Sequence, residues 1–274
     1  MSDLGELRVK IDKIDALLID LLNQRAKLAL EVGRIKQTTG IPVYAPERED
    51  QLLRGLEKRS NGPLTPEAIR AIYREIMSAS LSLETDLVIA CAGPETGLTP
   101  QAAHQKFGSS IRYLFFPTIP EVFSGIQSKK ANYGVVPIET PTETPVRQTL
   151  DCLMEGNLSI AAQIQLVSFT GAQHVGRFFV IGNSLNPPSG NDQTSLCIRV
   201  HNQPGALVSA IAPLSESSIN LIQILTLQDT DGKPENSFYL EIDGHAADPL
   251  VRDTIETLRS RCDSVKILGS YPKV

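Results

Sequence analysis

Absences narrow the possibilities for this chain of 274 residues before any motif is sought. No apolar run approaches the roughly 18–20 residues that a bilayer span needs. The opening residues, Met-Ser-Asp-Leu-Gly-Glu, are acidic and carry no apolar h-region, which argues against secretion. There are only four cysteines (Cys91, Cys152, Cys197, Cys262), far apart and without a Cys-x-x-Cys pair. They read as small buried residues in a reducing cytoplasm, not as staples or ligands. The four histidines (His104, His174, His201, His245) are equally scattered, so no metal site is expected. Basic charge is in deficit: a net charge of −5 sets nucleic acid aside as the main partner. No internal repeat is visible, and no membrane association is expected.

What is present is a globular composition, 41% hydrophobic and 21% charged. At about 100–200 residues per domain the length suggests two or three domains. Residues 1–85 hold 13 Lys/Arg and 13 Asp/Glu, and the remainder holds 13 and 18. The first part has no Gly or Pro between Glu6 and Gly33, whereas the rest has the Gly/Pro punctuation of α/β structure. One boundary therefore falls near residue 86. A second is expected at Asn183–Asp192, whose Asn-Ser-Leu-Asn-Pro-Pro-Ser-Gly-Asn-Asp reads as a linker.

Residues 1–85 predict three helices. Leu7, Ile11, Ile14, Leu18, Leu21, Arg25, Leu28, Val32 and Ile35 follow a 4-3-4-3 spacing, the seam of a helix presented to a partner helix. At roughly 1.5 Å per residue such a helix exceeds 40 Å, too long to bury its stripe within one chain, so an intertwined dimer is expected. Two shorter helices follow at Pro46–Arg59 and Pro66–Glu84, the second with Thr65 as N-cap. Arg25 breaks the apolar seam, and an unpaired charge there would cost several kcal/mol, so an anion should sit against it. Lys36, eleven residues on, returns to nearly the same face. Arg8 points elsewhere and could serve the opposite site of a dimer. Arg48 and Glu49 are adjacent on the second helix, and Ser80 and Glu84 lie one turn apart on the third.

Four stretches carry a resemblance: Leu7-Arg8-x-x-Ile11-Asp12-x-Ile14-Asp15; Gln24-Arg25 with Glu31-Val32-Gly33-x-x-Lys36; Val43-Tyr44-Ala45-Pro46-Glu47-Arg48-Glu49; and Ile72 to Leu81. Residues 4–85 resemble the all-helical chorismate mutases, in the form fused to prephenate dehydratase. The rearrangement of chorismate to prephenate involves no proton transfer. It calls for no general base, nucleophile or cofactor, only a held conformer and stabilised charge as the ether bond breaks. The resemblance implies that Arg25 and the partner chain's Arg8 clamp the two carboxylates. Lys36 would serve a carboxylate and the ether oxygen, Glu49 the ring hydroxyl, and Arg48 would orient the site. The Ala45 backbone N–H and the Ser80 hydroxyl would add contacts. Glu84 takes the place of a second donor to the ether oxygen, which implies a carboxyl group kept neutral.

Residues 86–182 alternate strands (Leu87–Ala92, Ile111–Phe116, Tyr133–Pro137, Leu158–Val167, Arg177–Ile181) with helices (Thr99–Phe107, Ile119–Lys129, Val146–Gly156), an α/β pattern with a mostly parallel sheet. Gly93-Pro94-Glu95-Thr96-Gly97, Asn132 to Glu139, and Arg177-Phe178-x-Val180-Ile181-Gly182 resemble prephenate dehydratase. That family has two lobes, yet here the exit strand ends near Phe169 and the return strand begins at Arg177, leaving no room for the second. Gly176 replaces the Thr of the family's Thr-Arg-Phe, and Pro137-Ile138-Glu139-Thr140-Pro141 lacks the expected Asn. The expectation is a kept fold and a lost dehydratase reaction, the segment serving as a spacer or dimer scaffold.

From Thr194 to Tyr271 the order strand, helix, strand, strand, helix, strand is expected (Ser195–His201, Ala206–Glu216, Ile219–Gln228, Asn236–Asp243, Leu250–Arg261, Val265–Ser270), which is ferredoxin-like. Pro204-Gly205-Ala206-Leu207, Ile219-Asn220-Leu221, Asp243-Gly244-His245 and Leu268 to Pro272 resemble the ACT regulatory domain of prephenate dehydratases. The resemblance implies phenylalanine held at a dimer interface by Gly205, Ala206, Leu207, Val208 and Asn220. The family's Glu-Ser-Arg-Pro is replaced by Leu225-Thr226-Leu227-Gln228.

The expected protein is multidomain: an all-α three-helix intertwined dimer domain (1–85), a truncated α/β domain (86–183) and a ferredoxin-like α+β ACT domain (193–274). Its expected function is a cytoplasmic, homodimeric chorismate mutase of aromatic amino-acid biosynthesis. One alternative is a bifunctional enzyme with weak dehydratase activity through Arg177. Another is a non-catalytic regulatory protein, against which the Arg8, Arg25, Lys36, Arg48 and Glu49 set speaks.

Overall fold

A computed structural model describes residues 3–139, 143–167, 174–227 and 236–274. Thr140 and Pro141, the exit-strand end near Phe169, and Gln228 lie outside the described residues. The chain begins with helix α1 (Leu4–Thr39), capped by the Asp3 carboxylate at one end and by Gly40 in the left-handed region (φ 71°) at the other. Helices α2 (Pro46–Arg59) and α3 (Pro66–Glu84) follow, each with proline in its first turn. Thr65 Oγ1 accepts the Ala68 N–H, as its position before Pro66 predicts. α3 packs along α1, and the closest approach is at Gly33, where a Cβ would lie 2.8 Å from Glu84 Cα. The apolar seam of α1 faces outward: Ile14, Leu18, Leu21, Leu28 and Ile35 are all exposed.

The second layer is a five-stranded sheet built from β1 (Val88–Ala92), β2 (Arg112–Phe116), β3 (Tyr133–Glu139), β4 (Ser159–Val167) and β5 (His174–Gly182). Between them run α4 (Leu98–Phe107), α5 (Ile119–Gln127) and α6 (Glu143–Glu155). The strand order is β2-β1-β3-β5-β4. The expected mostly parallel sheet is corrected here. β1 pairs in parallel with β2 and β3, but β3–β5 and β4–β5 are antiparallel. A parallel return needs a crossover of a dozen residues or more, and only 168–173 separate β4 from β5.

The last unit runs β6 (Asp192–Val200), α7 (Ala206–Glu216), β7 (Leu221–Leu227), β8 (Asn236–Asp243), α8 (Pro249–Arg261), β9 (Ser264–Pro272), with sheet order β7-β8-β6-β9. This is the ferredoxin-like order read from the sequence. Alternation along β8 divides its side chains between two cores. Phe238, Leu240 and Ile242 pack with Leu214, Ile255 and Leu258 from the helices. Tyr239 joins Tyr271, Leu268 and Cys197 in the core of the five-stranded sheet, beside Phe179 and Ile160. The two sheets are thus cemented, and the expected linker is tied down. Asn186 Nδ2 donates to the Ala161 and Ser270 carbonyls at 2.6 and 3.1 Å, and Asp192 is already a buried strand residue. Among the described residues no helix is long and apolar enough to cross a membrane.

Candidate active site

The close approach of α1 and α3 at Gly33 brings four of the expected residues together. Arg25 Nη1 donates to Ser80 Oγ, which in turn donates to the Ile76 carbonyl at 2.8 Å. About three turns beyond Arg25 on α1, Lys36 Nζ donates to the Val43 carbonyl at 2.7 Å and lies 3.0 Å from Glu84 Oε2. Gln37 Nε2 donates to the Glu84 carbonyl at 3.1 Å. Arg25 is half-buried and, among the described residues, has no carboxylate partner, so a hydroxyl alone faces its guanidinium. Such a group holds a net positive charge at the helix interface, ready for an anion. Glu84, expected as a second donor to the ether oxygen, stands with its Oε2 beside the Lys36 ammonium.

The other expected residues lie apart from this cluster. Arg8 is exposed, seventeen residues up α1, or about 25 Å along the axis. Ala45 caps α2 through its carbonyl, which accepts the Arg48 and Glu49 N–H groups at 3.1 Å. Arg48 is exposed and carries no ion pair among the described residues. Glu49 meets Lys106 of α4, with Nζ 3.0 Å from Oε1. This pair lines a cleft of about 390 Å³ whose walls include Asp50, Arg70, Arg74 and Gln163 but neither Arg25 nor Lys36. Sequence reasoning missed Lys106, which no motif marks, and the Val43 carbonyl, which as backbone leaves no signature.

Arg177, the cation of the dehydratase-like stretch, has its charge met by carboxylates of this chain. Its Nη1 and Nη2 fork onto Glu241 at 3.1 and 2.9 Å, Nη2 also donates to Gln223 Oε1 at 2.5 Å, and Nε lies 2.9 Å from Glu139 Oε2. Glu241 is fully buried and accepts the Tyr239 hydroxyl at 2.6 Å. Ser195 then links Tyr239 and Tyr271 at 2.9 and 2.6 Å. Burial pushes the Tyr239 hydroxyl well above its usual range, so it stays a donor. Beside this network, a Cβ on Gly176 would stand 2.6 Å from the Glu139 carbonyl oxygen.

The five residues implied for an effector do not form one site in this chain. Gly205 (φ 82°) opens α7 beyond the end of β6, with Val208 exposed. The Asn220 carbonyl accepts the Asp243 N–H, and Asp243 pairs with Gln193 at the other end of β6. At about 3.3 Å per residue the two ends are over 20 Å apart. Among the described residues no His/Cys/Asp/Glu group could hold a metal ion.

Comparison with known proteins matches residues 7–85 to the family model "Chorismate mutase type II" and residues 89–167 to that of "Prephenate dehydratase". The chain is 30% identical to a bifunctional chorismate mutase/prephenate dehydratase of Pseudomonas aeruginosa, covering 99% of this chain and 98% of that protein. It is 29% identical to one of Aquifex aeolicus, covering 100% and 99%. The first alignment runs over 358 positions and this chain has 274 residues, so at least 84 positions have no counterpart here. The solved prephenate dehydratase of Streptococcus mutans matches 68% of this chain and 97% of its own, at 28% identity and a TM-score of 0.57.

Proposed function

The chain belongs to the bifunctional chorismate mutase/prephenate dehydratase family, and from that premise we propose that it is a cytoplasmic, homodimeric chorismate mutase whose dehydratase reaction is lost. The observation that carries the reading is Arg25, held at the α1–α3 interface with only a hydroxyl for company. Chorismate is a dianion, and the bound conformer needs a fixed cation for each carboxylate. Arg25 supplies one. Arg8 of a second copy supplies the other, once the exposed seam of α1 is covered by its twin. Lys36 exchanges its pairing with Glu84 for the ether oxygen and a carboxylate as charge develops there. Ser80 and the Ala45 N–H complete the contacts, Arg48 turns in from the surface, and Glu49 accepts the ring hydroxyl.

Three observations support the loss of dehydration. The chain lacks more than eighty positions of its relative, and only residues 168–173 separate β4 from its antiparallel neighbour β5. Glu241 and Glu139 offset the charge of Arg177, the cation a substrate carboxylate would need, and Gln223 takes one of its N–H donors. The Glu139 carbonyl closes over Gly176, where the family's Thr hydroxyl would stand. The match with bifunctional relatives along the whole chain favours a second reading, residual dehydratase activity through Arg177. We assign residues 193–274 to an ACT domain, its effector held between copies because Gly205–Val208 and Asn220 lie at opposite ends of one unit.

Incubating the purified protein with chorismate and identifying the products tests both readings. Prephenate should accumulate and persist at neutral pH. No turnover would overturn the mutase assignment, and phenylpyruvate formed above the no-enzyme rate would establish the second reading.

A further inference from the structure

Glu49 is the one residue of the proposed site whose partner comes from outside the helical part of the chain. Lys106 reaches it from the last turn of α4, and both side chains are largely enclosed. The contact belongs to a continuous seam. The next residue, Phe107, packs its ring 5.0 Å from that of Tyr44, which also meets Tyr133 at 5.3 Å. Tyr44 is buried to 3% exposure, and it sits between Val43, whose carbonyl holds Lys36, and Ala45, which caps α2. Two residues further along, the Ser109 N–H and hydroxyl donate to Glu75 Oε2 of α3 at 3.0 and 2.7 Å. The Ser110 N–H donates to Ser78 Oγ at 3.0 Å. Residues 106–110 therefore grip α2, α3 and the loop between α1 and α2 at once.

Resting on the mutase reading above, we propose that Lys106 is a positioning residue for the mutase site, through which the dehydratase-derived domain aims Glu49 at the substrate hydroxyl. The ammonium occupies Oε1, and among the described residues no hydrogen bond reaches Oε2, which can accept one from the substrate. A carboxylate so enclosed, without that partner, would turn toward water, and the turn removes the acceptor. Lys106 touches no substrate in this arrangement; it acts through Glu49. The truncated domain thereby has a task that needs neither a second lobe nor Arg177.

The test is steady-state kinetics of the full chain with chorismate, comparing the parent with Lys106→Met, Lys106→Arg, Glu49→Gln and the Lys106→Met/Glu49→Gln double variant. Lys106→Met should raise KM about tenfold with kcat changed less, the pattern of lost substrate binding. Lys106→Arg should restore most of it. In the Glu49→Gln background the Lys106 change should add less than about twofold, because both act on one contact. Parent-like kinetics for Lys106→Met, a gain of activity, or additive losses in the double variant would each overturn the proposal while leaving the mutase assignment intact. An inactive parent would overturn both. If Lys106→Met does not fold, Lys106→Gln carries the same comparison.

Discussion

Two arginines read alike in the sequence and sit in opposite surroundings. Arg25 lies in the open helical region, half-buried, with the Ser80 hydroxyl as its partner and an exposed apolar stripe beside it. Arg177 lies between two packed sheets, forked onto the fully buried Glu241 and further held by Gln223 and Glu139. The first keeps a charge to offer; the second has its charge met by Glu241 and Glu139. A cation marks an anion site only where its neighbours leave the charge uncompensated, and a buried carboxylate reverses the meaning of the same residue.

The comparison breaks most sharply through a pair of substitutions read by stability and by turnover. Arg177→Ala should cost about 4 kcal/mol in urea unfolding, since it strands Glu241 without a counter-charge, while the folded fraction keeps its mutase activity. Arg25→Ala should do the reverse, cutting kcat/KM by about 10²-fold or more with unfolding nearly unchanged. Mutase activity lost in the first, or stability lost in the second, would dissolve the contrast. Gly33→Ala sharpens it next. The added methyl meets Glu84 Cα at 2.8 Å and must separate α1 from α3, for about 2 kcal/mol in thermal unfolding together with weakened catalysis. The smallest effect is expected from Glu84→Gln, which keeps the shape, releases Lys36 from its ion pair and supplies a permanent donor. Its kcat/KM should stay within about threefold of the parent, and a loss beyond tenfold would show that the Lys36–Glu84 pair itself is needed.

Much of the fold was legible because its signals are local. Thr65-Pro66 marks the start of α3, and the spacing from Leu7 to Ile35 marks α1 as one long helix. The sheet was misread as mostly parallel although the clue was present, in the short connection after Val167 that forces an antiparallel return. Within the site, Arg25, Lys36, Ser80 and Glu84 converge as their helical spacing requires. Lys106 was invisible, 57 residues from Glu49 and on a segment whose own motifs point to another reaction. That Lys36 faces Glu84 at 3.0 Å is likewise settled by how two helices pack.

By itself, the sequence determined the three helices of residues 1–85 and the order of strands and helices along the rest of the chain. Each of these rests on periodicity, capping and residue type, which act over a few neighbouring positions. Only the tertiary structure decided that Asn183–Asp192 is fastened down and that Arg177 is bound by Glu241. It alone decided that the grip on Glu49 comes from the neighbouring domain. Those outcomes depend on which charges and hydrogen-bonding groups are brought face to face when water is excluded, and partners 25 to 84 residues apart leave no local trace of one another.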